Sequence, residues 1–306
     1  MVEANKPAAR ETTLTRMADF IREVYDEWAE HGVLAHGAAL AFYTFFSLAP
    51  LLVLAIAVAG FAFGRSAAQG EIVAQIEGAV GPDAAHTVQN MLTQASRPAS
   101  GLTATAVSLL TMFFGASGVF GQLQSSLNMI WGVKPKKQGA VRGALQRRAT
   151  SFGMVLAIGL LLLLSLVASA ILAAVQETLR EHAPILGSIL PSMNLSVSFV
   201  TMALLFALIY KVLPAMRLAW RDVWIGSGVT ALLFLLGQSV ITSYLAHATK
   251  RSIYGAAGSL ILLLLWIYYS AQVVLIGAEF TEVYSRHFGS RTAEGPRKGQ
   301  RKAVSA

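Results

Sequence analysis

Apolar residues gather into six long stretches separated by polar or charged ones: about Ala38–Phe63, Leu102–Trp131, Phe152–Val175, Leu195–Leu213, Val223–Ala248 and Ser252–Ala278. Each is close to or beyond the ~20 residues that a helix needs to cross a hydrocarbon layer of ~30 Å. The pattern predicts an all-α polytopic membrane protein with six transmembrane helices. The last stretch, SIYGAAGSLILLLLWIYYSAQVVLIGA, holds no charge, yet Tyr269, Gln272, Ile276 and Glu279 recur at steps of three and four, one turn beyond Trp266. That spacing puts them on one helical face. Lipid offers no hydrogen-bond partners, so a polar stripe at this depth must look onto protein or water.

Weaker stripes mark other spans. In the first, Tyr43, Ser47 and Pro50 share a face, and Pro50 removes a backbone donor and predicts a kink. The plainer reading has Ser47 bonded back to a carbonyl and the kink serving packing alone. In the second, Gly115, Gly118 and Gly121 precede Gln122, Ser125 and Asn128. Small residues permit close helix approach, and amides bond across helices; a partly unwound site is the sharper alternative. The fifth carries Thr230, Phe234, Gln238 and Thr242 four apart, whereas the third is nearly pure aliphatic and reads as lipid-facing.

Ahead of the first span, Leu14, Met17, Ile21, Val24 and Trp28 alternate by three and four among Arg16, Asp19, Arg22, Glu23, Asp26 and Glu27. This is an amphipathic helix, predicted to lie on the membrane surface with its acids solvated; packing beneath the bundle is the alternative. Between spans one and two, residues 64–101 predict two short helices broken at Gly81-Pro82, with Ile72, Ile76 and Ala79 turned to the bundle. The organisation expected is a cytoplasmic tail with the amphipathic helix (1–35), a membrane domain (36–284) and a basic, disordered tail (285–306).

Composition agrees. Of 306 residues 55% are hydrophobic and 13% charged, against about 25% charged in soluble domains. The net charge of +8 raises the question of nucleic acid, but its distribution answers it. Nineteen of the 24 lysines and arginines fall on the side that carries both termini, which the positive-inside rule makes cytoplasmic. There they meet anionic headgroups, so membrane lipids are the expected partners and nucleic acid is not. Lys250 and Arg251 depart from the rule and suggest an outer anion contact.

Catalysis finds little support. With no cysteine, thiolate chemistry and Cys-based metal sites are excluded. His31, His36, His86, His182, His247 and His287 are scattered over both sides without ligand spacing. No phosphate-binding GxxxxGK[ST] pattern occurs. Neither a cofactor nor a metal is expected.

The segments HGAALAFYTFFSLAPLLVL, SLNMIWGV and, most specifically, YGAAGSLILLLLWIYYSAQVVLIGAEFTEVY resemble the YihY/BrkB family of bacterial inner-membrane proteins, over most of residues 30–285. The resemblance implies a six-helix inner-membrane protein; the family's BrkB name reflects serum resistance, and some members have been proposed to move lipids or lipid-linked envelope precursors. Many also carry the label ribonuclease BN, which needs clustered metal ligands or an acid/base pair that this chain does not offer.

The expected function is therefore a transporter or flippase-like handler of a lipid or anionic envelope component; a non-transporting scaffold for envelope assembly is the alternative. The candidate pathway comprises Tyr43, Ser47, Pro50, Gly115, Gly118, Asn128, Gln238, Tyr269, Gln272 and Glu279. Glu279 couples transport to protons if it faces the bundle. Its place after the apolar run favours instead a solvated helix-end carboxylate, and Glu282 still more so.

Overall fold

The computed structural model describes residues 13–95, 118–133, 153, 190–216, 218–248 and 256–291. All regular structure among them is helical: α1 (Thr13–Glu30), α2 (Val33–Phe63), α3 (Arg65–Val80), α4 (Pro82–Ala95), α5 (118–130), α6 (Leu190–Val212), α7 (Trp220–Ala248) and α8 (Ala256–His287). The predicted third span, Gly153 apart, and residues 102–117 of the second lie outside the described residues.

Two glycines set the sharp turns. Gly32, with φ +59°, closes α1 in the left-handed conformation that suits a residue without Cβ, its N–H donating to the Ala29 carbonyl. The chain then bends by 60° into α2. Gly81, φ +96°, ends α3 with its N–H on the Glu77 carbonyl, and Pro82 opens α4, where its missing donor costs nothing. The break expected at Gly81-Pro82 is thus present. Helix α2 is continuous through Pro50, and an abrupt change of direction comes at Gly32.

Three described helices are long and apolar enough to cross a membrane on their own: Leu195–Val212, Trp220–Ile241 and Leu260–His287. The start of α2 qualifies as a fourth when joined to α1 across the bend; we read the charged α1 as its flank outside the span. The protein is an all-α polytopic membrane protein with three to four such helices among the described residues, against the six that the sequence predicts.

Helix α8 touches α1, α2, α3, α4 and α7. Its first half joins a core with Ala41, Ile56, Val88 and Leu92, where Leu263 and Ile267 are buried and Ile72 and Ile76 of α3 pack at the edge. Its second half joins a larger core with Val33, Leu127, Trp131, Tyr210 and Val223, through Leu275 and Ala278. Close approach of α7 relies on small residues: a Cβ at Gly226 would collide with Thr281, and one at Gly237 with the Tyr269 ring.

Helix α8 also outruns its predicted end. It continues nine residues past Ala278 to His287, followed by a turn to Arg291. Asp222, fully buried at the start of α7, holds that turn: the Ser290 hydroxyl donates to its Oδ2 at 2.6 Å and the Ser290 N–H at 3.1 Å. Residues 285–291, expected to begin a disordered tail, are therefore ordered by this cap.

Candidate functional site: a buried carboxylate ladder on the last helix

Residues 272, 279, 282 and 286 of α8 repeat at intervals of seven, three and four, and so return to one side of the helix. The elbow between α1 and α2 covers that side. At its inner end Gln272, buried, donates from Nε2 to the Leu34 carbonyl at 3.3 Å, and its Oε1 has no hydrogen-bond partner among the described residues. Only a glycine at position 37 leaves room for this amide.

Two turns further, Glu279 is fully buried with Oε1 2.7 Å from His31 Nδ1. Glu282, also fully buried, accepts from Arg286 Nε at 2.7 Å and stands 3.5 Å from Arg291 Nη1. Arg286 then crosses to α1, its Nη1 3.2 Å from Glu23 Oε1 and its Nη2 hydrogen-bonded to Glu27. His287 Nε2 approaches Glu23 Oε2 to 2.6 Å. Below these, Phe20 of α1 meets Phe280 edge-on at 5.4 Å.

Among the described residues the cluster brings together the carboxylates Glu23, Glu27, Glu279 and Glu282, the guanidiniums of Arg286 and Arg291, and the imidazoles of His31 and His287. Burial pushes the Glu27 carboxyl up from its ordinary value; Arg286 opposes this, and Glu282 and Glu279 add to it.

Two expectations are corrected here. Glu279 and Glu282 are not solvated helix-end groups: α8 continues past them and α1 and the elbow close over them. Nor are the α1 acids all solvated. Glu27 is buried and Glu23 half-buried against α8, because Arg286 and His287 give them partners there. Met17, Ile21 and Tyr25, by contrast, are 58%, 61% and 63% exposed. The helix is thus amphipathic, and it packs its ionic side inward and leaves part of its apolar side outward.

The other sequence candidates divide. Tyr269 faces α7, its hydroxyl donating to the Leu233 carbonyl at 3.1 Å, so the stripe it shares with Gln272 and Glu279 serves two different neighbours. Asn128 accepts the Ala215 N–H at 2.8 Å, and nearby Gln124 donates to the Leu213 carbonyl; both brace the end of α6. Ser47 is buried and Tyr43 is 44% exposed beside Gly118, while Gln238 is half-buried on α7. Gly115, Lys250 and Arg251 lie outside the described residues, and of Pro50 only the helical backbone is described.

Sequence reasoning passed over Glu23, Glu27, His31, Arg286 and His287. The available signal was complementarity: Glu23 and Glu27 at one end of the chain, Arg286 and His287 at the other, all at helical spacing. Among the described residues no group of three or more acidic or histidine side chains is arranged to hold a metal ion.

Comparison with known proteins gives a consistent relationship. A "UPF0761 membrane protein" of Pseudoalteromonas atlantica is 26% identical over 277 residues, covering 90% of this chain and 89% of its own. One from Verminephrobacter eiseniae is 31% identical over 250 residues, covering 80% of this chain and 57% of its own. In one from Tolumonas auensis identity rises to 39% over a shorter 89 residues. No solved structure matches. The family model described as "Virulence factor BrkB" matches residues 24–302, a span that takes in the elbow and all of the ladder but Glu23, and the chain belongs to that family.

Proposed function

We propose that the protein is a six-span bacterial inner-membrane transporter, flippase-like, that handles a lipid or anionic envelope component without catalysing a reaction. The observation that supports this reading is Glu279: a fully buried carboxylate on the longest of the described apolar helices, hydrogen-bonded to His31 and in line with Gln272, whose Oε1 has no hydrogen-bond partner among the described residues. An ionisable group at such a position is costly and is ordinarily kept for a pathway or a proton relay. In this reading Glu279 exchanges protons, His31 holds its orientation, and the nineteen basic residues on the side of the termini place them in the cytoplasm. Lys250 and Arg251 contact an anion at the outer mouth. No P-loop pattern is present, so the driving force is a gradient or a partner protein rather than this chain's own nucleotide hydrolysis.

The test is reconstitution in liposomes, following transbilayer movement of labelled phospholipids and lipid-linked envelope precursors with and without a proton gradient. Movement above empty vesicles, reduced by Glu279→Gln, is the expected result. Movement indifferent to that substitution removes Glu279 from the mechanism, and no movement under any gradient turns the case toward the second reading. That reading, a non-transporting scaffold, draws on the outward Met17, Ile21 and Tyr25, which leave α1 an apolar side free for a membrane or protein partner. It predicts that envelope assembly depends on Ile21 and tolerates loss of Gln272.

A further inference from the structure

Helix α1 has three sides. Phe20, Glu23 and Glu27, at steps of three and four, meet α8. Met17, Ile21 and Tyr25, four apart, form a second side that is more than half exposed, with the Tyr25 ring against Trp28 at 5.6 Å. Asp19, Arg22, Asp26 and Glu30 form an exposed, charged third side, on which Arg22 pairs with Asp26 at 3.8 Å. At ~3.6 residues per turn the apolar and charged sides stand roughly 140° apart, and the docked side lies on the flank, roughly 90–130° from either.

The neighbours fix the height at which this helix crosses the bundle. Thr281 stands against Gly226 and Ser290 against Asp222, so the opening turns of α7 lie beside the closing turns of α8. Phe20 meets Phe280 and Phe288, and Glu23 and Glu27 meet Arg286, within the same stretch of α8. At that height Trp220 and Trp224, one turn apart on α7, are 55% and 46% exposed. Lys211, in the last turn of α6, sets its ammonium over the Trp220 ring at 5.0 Å. Outward tryptophans at the end of an apolar helix, with a lysine beside them, mark the boundary between hydrocarbon and water. From α1 the chain turns by 60° into α2, which carries Leu34, Phe42 and Phe46 outward, so apolar exterior continues on both sides of the elbow.

We propose that α1 lies in the headgroup layer of the bilayer, with lipid covering Met17, Ile21 and Tyr25, water over Asp19, Arg22 and Asp26, and α8 clamped to the flank. A helix lying in the plane of a membrane beside a bundle needs apolar residues on one side, charge across from them and a lateral contact between, and α1 has all three. A second copy of the chain, or a soluble partner, on the apolar side makes no use of the height of the tryptophans. The charged side carries Asp19, Asp26 and Glu30 beside Arg22, so the attachment is one of apolar contact and holds on zwitterionic lipid. It stands whether or not the protein transports anything, and its test is independent of the transport assay.

The chain has no cysteine, so a single introduced thiol reports one position. Full-length protein carrying Ile21→Cys or Asp26→Cys is labelled with a bimane fluorophore and placed in nanodiscs of phosphatidylcholine. Both positions are exposed, which leaves the contacts with α8 in place. Two quenchers are compared, a nitroxide on the lipid acyl chain and iodide in the water. The lipid-borne nitroxide is expected to quench the Ile21 label several-fold more than the Asp26 label, with iodide in the opposite order. A nitroxide near the headgroup end of the acyl chain should act on Ile21 more strongly than one near the methyl end, as a depth of about 5–10 Å requires. Met17→Cys and Tyr25→Cys follow Ile21, and Arg22→Cys follows Asp26. Iodide that reaches Ile21 as readily as Asp26 puts the apolar side in water and overturns the proposal. Shielding of Ile21 from both quenchers overturns it as well, since the purified sample then holds a second copy of the chain against that side.

Discussion

His31 and Glu279 stand 248 positions apart in the chain, yet their Nδ1 and Oε1 atoms meet at 2.7 Å. The contact ties the elbow at Gly32 to the middle of the last helix's ionic side, and Glu279 has no exposed surface through which water can replace the imidazole. Breaking a buried pair from one side commonly costs about 3–5 kcal/mol, and removing both charges costs less. His31→Leu is therefore expected to lower stability more than Glu279→Gln does, and the double variant to recover part of the loss. Equilibrium unfolding in detergent, run as a double-mutant cycle, checks this; strictly additive effects would falsify the coupling.

Among the described residues, Arg286 is a cation that three carboxylates from two helices share, Glu23 and Glu27 on α1 and Glu282 on its own helix. Arg286→Met keeps much of the stem's packing and leaves those acids facing one another. The expected loss is again about 3–5 kcal/mol, and adding Glu27→Gln should restore a measurable share by removing one of the repelling charges. Thermal midpoints of the single and double variants decide it: no recovery in the double variant means that Arg286 acts through packing rather than charge.

Much of the architecture was legible from periodicity. The last three predicted spans correspond to α6, α7 and α8 within a few residues at most ends, and the Gly81-Pro82 break and the amphipathic α1 are where their residues point. Where α8 stops was not legible, because a helix that carries Glu279, Glu282 and Arg286 looks like one leaving the membrane until its partners are known. Periodicity gives the face on which a residue lies; it is silent about what that face meets. Tyr269, Gln272 and Glu279 illustrate the limit, since one predicted stripe resolves into a contact with α7 and two with the elbow. The inward turn of Glu23 and Glu27 was hidden for the same reason: Arg286 and His287 come from the far end of the sequence.

Gly226 and Gly228 offer a matched pair for testing the α7–α8 contact. A Cβ at Gly226 would run into Thr281, with Thr281 Cβ and Cγ2 both at 2.7 Å, whereas at Gly228 nothing lies within 4 Å. Gly228→Ala should be neutral or stabilising by up to about 1 kcal/mol through helix propensity. Gly226→Ala should cost about 1–3 kcal/mol, the usual toll of overpacking, because Thr281 is fixed by its own hydrogen bond to the Gly277 carbonyl. Equal responses of the two variants in thermal unfolding would mean that the helices have room to part.

The pH dependence of stability provides the last check, through Glu27. Burial lifts its carboxyl above the ordinary value of 4.5, and the attraction of Arg286 does not cancel the lift. A carboxyl raised in the folded state contributes stability that is fully present below its unfolded value and is lost as pH rises through the folded one. Glutamine at this position neither titrates nor repels Glu282 and Glu279. The stability of Glu27→Gln relative to the parent protein is accordingly expected to improve steadily as pH is raised from below 4.5 toward neutrality. In acid the two should be nearly equal, since the parent then carries a neutral side chain as well. Thermal midpoints of both proteins, taken across that range in the same detergent, give the comparison directly. If the parent instead gains on the variant with rising pH, the Arg286 attraction outweighs the desolvation of Glu27, and the carboxylate is a stabilising anchor of α1 rather than the group whose ionisation loosens it.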